Sequence, residues 1–296
     1  MELRQVEYVV AAVDARTFTG AAAALHVSQP SLSQGIARLE AELGVELFQR
    51  VGRRVTLTSA GEAFVDPARQ LLRDAAVIHD SVHAAAGLET GSLDIVALPT
   101  LAADPLAGIV GSFRRAYPGV AVRIAEPETA DGVAQRVWDG RAEIGLAELP
   151  VLREELVSEP LLDQDLVVIL PPGHPAGDMT IEQLAKFPLV ATPLGTSTRR
   201  MLTDAFEAAG VAPTIAVETG QREAIVPLVL AGAGVAVLPR ALGTIAATHG
   251  AVVVFLKPPL RRTIGLVHRL GALSPAAARF RDMARDLAGQ PDGHAT

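Results

Sequence analysis

The chain has 296 residues, no cysteine and a formal net charge of −7, with 49% hydrophobic but only 4% aromatic residues. Without a thiol it forms no disulfide, thiol nucleophile or zinc–thiolate site, and its overall acidity is unlike that of a generally basic nucleic-acid binder. The longest uncharged apolar run, 224–238, is broken by Pro227, Gly232 and Gly234 and is too short to span a bilayer, and the N-terminus leads into an amphipathic helix rather than a leader, so a cytoplasmic protein without membrane segment or cofactor is expected.

The first predicted helix, 4–14, turns Val6, Val9, Val10 and Val13 to one side. Thr17 stands as the N-cap of a second helix that begins at Phe18. A third starts after Ser28, with Pro30 in its first turn and Gly44 past its end. Leu32, Ile36, Leu39 and Leu43, at i, i+4, i+7 and i+11, form a core stripe. The opposite face carries Pro30, Gln34, Ala37 and Arg38, flanked by Ser31 and Ser33. Small residues, hydroxyls, one amide and one guanidinium suit a helix that enters a DNA major groove, with an ordinary solvated face as the alternative.

Two short strands follow over 45–58, turning at Gly52-Arg53-Arg54 to make a wing. Arg50, Arg53 and Arg54 cluster at its tip, placed to meet phosphates or a minor groove. Residues 1–58 hold six arginines and six acids, so the rest of the chain carries the whole −7. A head with no net positive charge binds weakly alone, and pairing on DNA is expected.

From Ser59 a long helix runs to about Gly87, with Ser59 and Glu62 in the pattern of a capping box. Phe64, Ala68, Leu71, Ala75, Ile78, Val82 and Ala85 alternate spacings of four and three, a heptad seam that calls for a partner helix and hence a homodimer. Pro67 sits early enough to cause only a kink. His79 and His83 lack a third ligand, so no metal site is expected there.

Beyond Gly87 strand-like runs (93–98, 120–125, 143–147, 165–170, 189–192, 214–218, 235–238, 252–256, 263–268) alternate with helical ones (105–117, 130–138, 181–186, 198–209, 223–231). That texture predicts α/β architecture with largely parallel sheets, in two small lobes. A ligand then lies where strand ends meet helix N-termini. Thr100 and Leu101 follow the first strand. Thr196, Ser197, Thr198 and Arg199 combine amides, hydroxyls and a positive dipole end, suited to a carboxylate or other anion. Thr129 is a third candidate, and for each of these the competing explanation is capping of its own helix. No Gly-x-Ser-x-Gly elbow, P-loop or dinucleotide fingerprint is present, and an enzyme is not expected.

These residues carry a resemblance. The run Leu25-His26-Val27-Ser28-Gln29-Pro30-Ser31-Leu32-Ser33, with Phe18-Thr19, Arg38-Leu39-Glu40, Leu47-Phe48 and Gly61-Glu62, resembles the DNA-binding domain of the LysR-type transcriptional regulators. Gly20 and Gly35 are the less usual positions, and Gly35 leaves room for close backbone approach to DNA. More loosely, 170–175, 195–199 and 231–239 are similar to that family's effector domain, itself similar to two-lobed periplasmic solute-binding proteins. The resemblance implies a winged helix-turn-helix domain (1–58), a linker helix (59–87) and an effector domain (88–296), with lobe I about 88–161 and 267–296 and lobe II about 162–266. It places the chain crossings between lobes near 161–163 and 266–268.

The function so implied is sequence-specific transcription regulation modulated by a small molecule, with a homotetramer and RNA polymerase contact; the heptad seam by itself supports only a dimer. Gln34, Ser31, Ser33 and Pro30 are then the candidates for base edges and Arg53 for the minor groove, with Ser28, Gln29, Arg38, Arg50 and Arg54 completing the interface. A solute-sequestering protein, or a constitutive DNA binder with a non-functional cleft, remains as an alternative.

Overall fold

The computed structural model describes residues 1–51, 54–85 and 91–289, without the side chains of 50, 51, 54, 79–81 and 83–85. The arginine tip expected of the wing (Arg50, Arg53, Arg54), the pair His79 and His83, and the seam's last member Ala85 therefore fall outside what is described. Two compact units are present, the first essentially 1–90 and the second most of the remainder.

In the first unit, α1 (Leu3–Ala15), α2 (Phe18–Ala24) and α3 (Gln29–Leu43) surround one core. Thr17 and Ser28 act as N-caps, their side chains accepting from the amides of Gly20 and Ser31, and Gly44 closes α3 in the left-handed region at φ 72°. Leu32, Ile36 and Leu39 are buried, each contributing about 2 kcal/mol by removal from water. Leu43 leaves the expected stripe and is 41% exposed, because the helix ends there and its last turn runs past the core.

Gly35 owes its identity to α1 rather than to space for DNA. A Cβ at that position meets Cδ2 and Cε2 of Tyr8 at 2.6 and 2.7 Å. At Gly20 a Cβ meets the capping oxygen of Thr17 at 2.8 Å.

The wing pairs β1 (Phe48–Val51) with β2 (Arg54–Leu57) antiparallel, Phe48 opposite Leu57. Phe18 packs edge-on against Phe48 at 5.5 Å. The helix α4 (Ser59–Ala85) is continuous through Pro67. Its cap is Thr58, not the expected Ser59: Thr58 Oγ1 accepts from the amide of Gly61 at 3.0 Å and donates to the carbonyl of Glu46 at 2.7 Å. One hydroxyl thus starts the helix and ties it to the segment leading into the wing.

The second unit begins with β3 (Gly91–Ala97), a single turn α5 (Pro99–Leu101), and α6 (Ala107–Ala116). Between these helices Asp104 is extended (φ −154°, ψ 123°), so the helix expected from Pro105 begins properly only at Ala107. Next come β4 (Val120–Ala125), α7 (Ala130–Trp138), β5 (Ile144–Glu148) and β6 (Leu156–Leu170). The order continues β7 (Asp178–Met179), α8 (Ile181–Leu184), β8 (Pro188–Ala191), α9 (Ser197–Ala208), β9 (Thr214–Glu218), α10 (Ile225–Leu230) and β10 (Ala236–Pro239). The last elements are α11 (Arg240–Thr248), β11 (Val252–Arg269) and α12 (Pro275–Ala288). The strand–helix alternation announced neither α11 nor α12.

The fold is α/β, but the largely parallel sheet is corrected. Among the described residues parallel pairing is limited to β3 with β4 and β5, β8 with β9, the two-residue β7 with β11, and a single bridge between Leu189 and Val235. The centre of the seven-stranded sheet is antiparallel, in the order β10-β6-β11-β5-β3-β4. Of β6 only its apolar end, 165–170, reads as a strand; the polar stretch before it hides that the same strand continues into the other lobe.

The long strands β6 and β11 pair from Leu156 opposite Arg269 to Leu170 opposite Val252, with bulges between Phe255 and Leu260 and between Ile264 and Gly265. The register sets Asp163 against Thr263, so β11 crosses near 262–264. The expected crossing at 266–268 is already paired with β5 in the first lobe.

The first lobe is backed by α6, α7 and α12, where Phe113 meets Phe280 at 5.5 Å. Leu184, Phe206 and Val237 fill the second lobe around Val168 of β6. Among the described residues no helix is long and apolar enough to cross a membrane.

Candidate functional site

Two surfaces carry chemistry, one in each unit. On α3 the residues Ser28, Gln29, Pro30, Ser31, Gln34 and Arg38 are exposed, and Ser33 is half-buried. Several are already occupied: the Ser28 and Ser31 hydroxyls lie 2.7 Å apart, and the Gln29 amide donates to Ser33 Oγ at 2.7 Å. Gln34 and Arg38, four residues apart on one face, make no hydrogen bond among the described residues, so their donors are free for a partner. Glu40, nearby in sequence, is not a repulsive charge left loose. Its Oε1 accepts from the amides of Leu47 at 2.7 Å and Phe48 at 3.2 Å, holding the start of the wing.

Along α4, Val65 and Ala68 are buried. Leu71, Ile78 and Val82 are 39%, 66% and 65% exposed. Three large apolar side chains of the heptad seam thus face solvent along the distal half of a helix.

In the second unit a cavity is lined by Thr100, Thr192, Thr198, Arg199 and Arg222, with Val190, Leu202, Ile225 and Val237 supplying apolar wall. Its volume is about 20 Å³, room for about one water molecule. Residues from the β3–α5 junction, the start of α9 and the approach to α10 thereby converge, as strand ends and helix starts do in open α/β folds.

The hydroxyls have definite polarity. Thr196 donates to the carbonyl of Pro193 at 3.0 Å, so at 2.6 Å it must accept from Thr192. Arg199 donates to the carbonyl of Thr192 at 3.0 Å and pairs with Glu218 at 3.5 Å. Arg222 pairs with Glu128 of the first lobe, with one contact at 3.1 Å, and the amide of Ser197 reaches the Glu128 carbonyl at 3.4 Å.

Behind Thr100 lies Arg262, only 4% exposed. Its Nε and Nη2 donate to Gln164 Oε1 at 2.9 and 2.6 Å, its Nη2 also to Thr100 Oγ1 at 3.0 Å, and its Nη1 to Ser197 Oγ at 3.4 Å. Ser197 in turn donates to Glu148, which Arg200 approaches at 3.9 Å. Burial pulls the guanidinium down to about 10, against the opposing pull of the Glu148 charge. It stays cationic at neutral pH.

Of the residues expected from sequence, Thr100, Thr198 and Arg199 come together on the cavity wall, and Thr196 and Ser197 brace it from behind. Thr129 stands apart, capping α7 through the amide of Gly132 at 2.9 Å. Leu101 is fully buried in the first lobe's core and presents no side chain to the cavity. Sequence reading missed Arg262, Gln164, Thr192 and Arg222. The detectable signal was a polar residue at inward positions of period two: Arg262 between Leu260 and Ile264, and Gln164 between Leu162 and Leu166.

Comparison with known proteins covers both units. The model of "Bacterial regulatory helix-turn-helix protein, lysR family" matches residues 3–62, and that of "LysR substrate binding domain" matches 86–289. The DNA-binding transcriptional dual regulator OxyR of Escherichia coli K12 is 32% identical over 300 residues, 99% of this chain and 97% of its own. A hydrogen peroxide-inducible genes activator from another Escherichia coli strain shows the same identity and coverage. Among solved structures, full-length OxyR from Pseudomonas aeruginosa gives a TM-score of 0.77 at 26% identity, covering 96% of this chain and 95% of that one. CbnR, a LysR family transcriptional regulator, gives 0.67 at 24% identity over 97% and 99%, a likeness of fold.

Proposed function

The chain belongs to the LysR family of DNA-binding transcriptional regulators with effector-binding domains, and from that premise we propose how its own residues do the work. Gln34 reads base edges in the major groove, helped by Pro30, Ser31 and Ser33. Ser28, Gln29, Arg38, Arg50 and Arg54 position the phosphate backbone, and Arg53 reaches into the minor groove. The observation that carries this reading is the exposed face of α3, on which the Gln34 amide and the Arg38 guanidinium have no hydrogen-bond partner among the described residues.

Two copies pair through Leu71, Ile78 and Val82 of α4, which matches a reading head with no net charge of its own. Pairs associate into a tetramer, act in the cytoplasm, contact RNA polymerase and catalyse no reaction. The effector enters the cavity at Thr100, Thr198 and Arg199, with Thr196 and Ser197 behind them. Whatever hydrogen peroxide does to the relatives named for it, a thiol switch is unavailable to a chain without cysteine. The effector here binds without covalent capture by sulfur.

The test is binding to DNA upstream of the chain's own gene across a salt series. Gln34→Ala is expected to weaken the specific complex by about 1–3 kcal/mol, and Arg38→Ala to lower the salt slope by about one. In the same assay Ile78→Asp with Val82→Asp yields monomers of weak affinity. Unaltered DNA binding by all three variants overturns the assignment.

A further inference from the structure

Helix α9 begins without the cap that its own sequence offers. Thr196 stands at the N-cap, yet its hydroxyl accepts from Thr192 and donates to the carbonyl of Pro193, and it forms no side-chain cap. The first turn of a helix leaves amides to be satisfied and carries the positive end of the dipole. Here both are answered from the first lobe. The amide of Ser197 donates to the Glu128 carbonyl at 3.4 Å, and the Ser197 hydroxyl donates to the carboxylate of Glu148 at the end of β5.

Glu148 is 15% exposed, and the charges around its carboxylate come from outside its own lobe. Arg200, in the first turn of α9, lies 3.9 Å from Oε2, the oxygen that also accepts from Ser197. Arg262, where β11 crosses, donates to the Ser197 hydroxyl at 3.4 Å, so it stands one oxygen behind the carboxylate, whose charge acts on it. Hydroxyl, guanidinium and helix dipole are the parts of a carboxylate-binding site, and the carboxylate in it belongs to the chain itself.

We propose that Glu148 is a built-in ligand: tethered to the first lobe through β5, its carboxylate binds the start of α9 and by itself holds the two lobes closed. The proposal depends on neither the DNA interface nor the identity of an effector. The ion pair of Glu128 with Arg222 spans the same cleft, but Glu128 is 51% exposed and water screens that pair. The Glu148 contact is more sheltered and keeps more of its strength. The space left beside it admits about one water molecule. Parting the lobes to admit anything larger therefore breaks the Glu148 contact first.

The experiment is pulsed electron resonance on the full chain, spin-labelled at Asp131→Cys on α7 and Glu207→Cys on α9. Both positions are exposed, and the chain has no cysteine of its own to compete for label. Dilution with unlabelled chain restricts the distances to those within one copy. The expected result is one narrow distance in the labelled chain, and in Glu148→Ala a second, longer distance whose population is at least fivefold higher. Ser197→Ala opens the lobes likewise from the other side. The double variant exceeds the larger single effect by no more than twofold, as the two halves of one contact do. If Glu148→Ala does not fold, Ser197→Ala and Glu148→Gln, which keeps the shape without the charge, decide in its place. An unchanged distance in the Glu148 and Ser197 variants overturns the proposal, and so does opening in which the two substitutions multiply independently.

Discussion

Replacing Gly35 with alanine separates two reasons for a glycine on the DNA-reading helix. In an ordinary helix interior the change gains about 1 kcal/mol of propensity. Here the new Cβ lands 2.6 Å from Cδ2 and 2.7 Å from Cε2 of Tyr8, a ring that is 7% exposed in the core of the first unit. Moving that ring costs the overpacking penalty of about 1–3 kcal/mol. The net expectation is destabilisation of about 1 kcal/mol, which hydrogen exchange of α1 and α3 in the full chain reads as about fivefold lower protection. The sign inverts in a Tyr8→Leu background, where the slimmer side chain makes room and Gly35→Ala raises protection about fivefold, the two sites coupling as contacting residues do. DNA affinity of the folded single variant stays within a few-fold. Higher protection in Gly35→Ala alone, or a loss of DNA affinity beyond tenfold with protection unchanged, refutes the packing explanation and restores close DNA approach as the cause.

The wing depends on Glu40, whose carboxylate satisfies the amides of Leu47 and Phe48. Glu40→Ala leaves two donors without that partner and is expected to cost about 2 kcal/mol, with Glu40→Gln recovering most of it by keeping a carbonyl acceptor. Calorimetric unfolding ranks them, and equal losses exclude the acceptor as the reason. At the far end of the second unit, burial pushes the Glu159 carboxyl up. Hydrogen bonds from Arg285 and His268 more than offset this and hold it below its ordinary 4.5. A depressed folded value means that the stabilisation is complete above about pH 4.5 and drains away as pH falls through the lower folded value. Urea unfolding is thus expected to show the gap between the unaltered chain and Glu159→Gln wide at pH 7 and closing towards pH 3. A constant gap contradicts this.

Local signals carried the first unit well. Caps at Thr17 and Ser28, the stripe Leu32, Ile36, Leu39 and the terminal Gly44 are all short-range chemistry, visible within a turn of helix. Where the reading slipped, a distant partner decided. Thr58 rather than Ser59 starts α4 because its hydroxyl is tied to Glu46, and Gly35 answers to Tyr8 in another helix. In the second unit the loops ahead of helices stood out by composition, so Thr100, Thr198 and Arg199 were found. Arg262 and Gln164 were not, since each lies mid-strand and acquires meaning only when β6 and β11 set them side by side. Antiparallel pairing of segments about a hundred residues apart leaves no mark on either segment alone.

That pairing has a mechanical consequence. The two lobes are joined by a hydrogen-bonded ribbon, not by loose linkers, and sliding one strand along the other by a single residue turns every side chain to the wrong face. What remains is torsion and bending, and these concentrate at the bulges, where the ladder is already interrupted. Between the bulges the rungs run unbroken from Leu260 opposite Leu166 to Ile264 opposite Leu162, with Arg262 opposite Gln164 at the middle. The strand pair behind the cavity is in effect a stiff plate with a compliant joint at each end, so that any rotation of one lobe against the other concentrates at those joints.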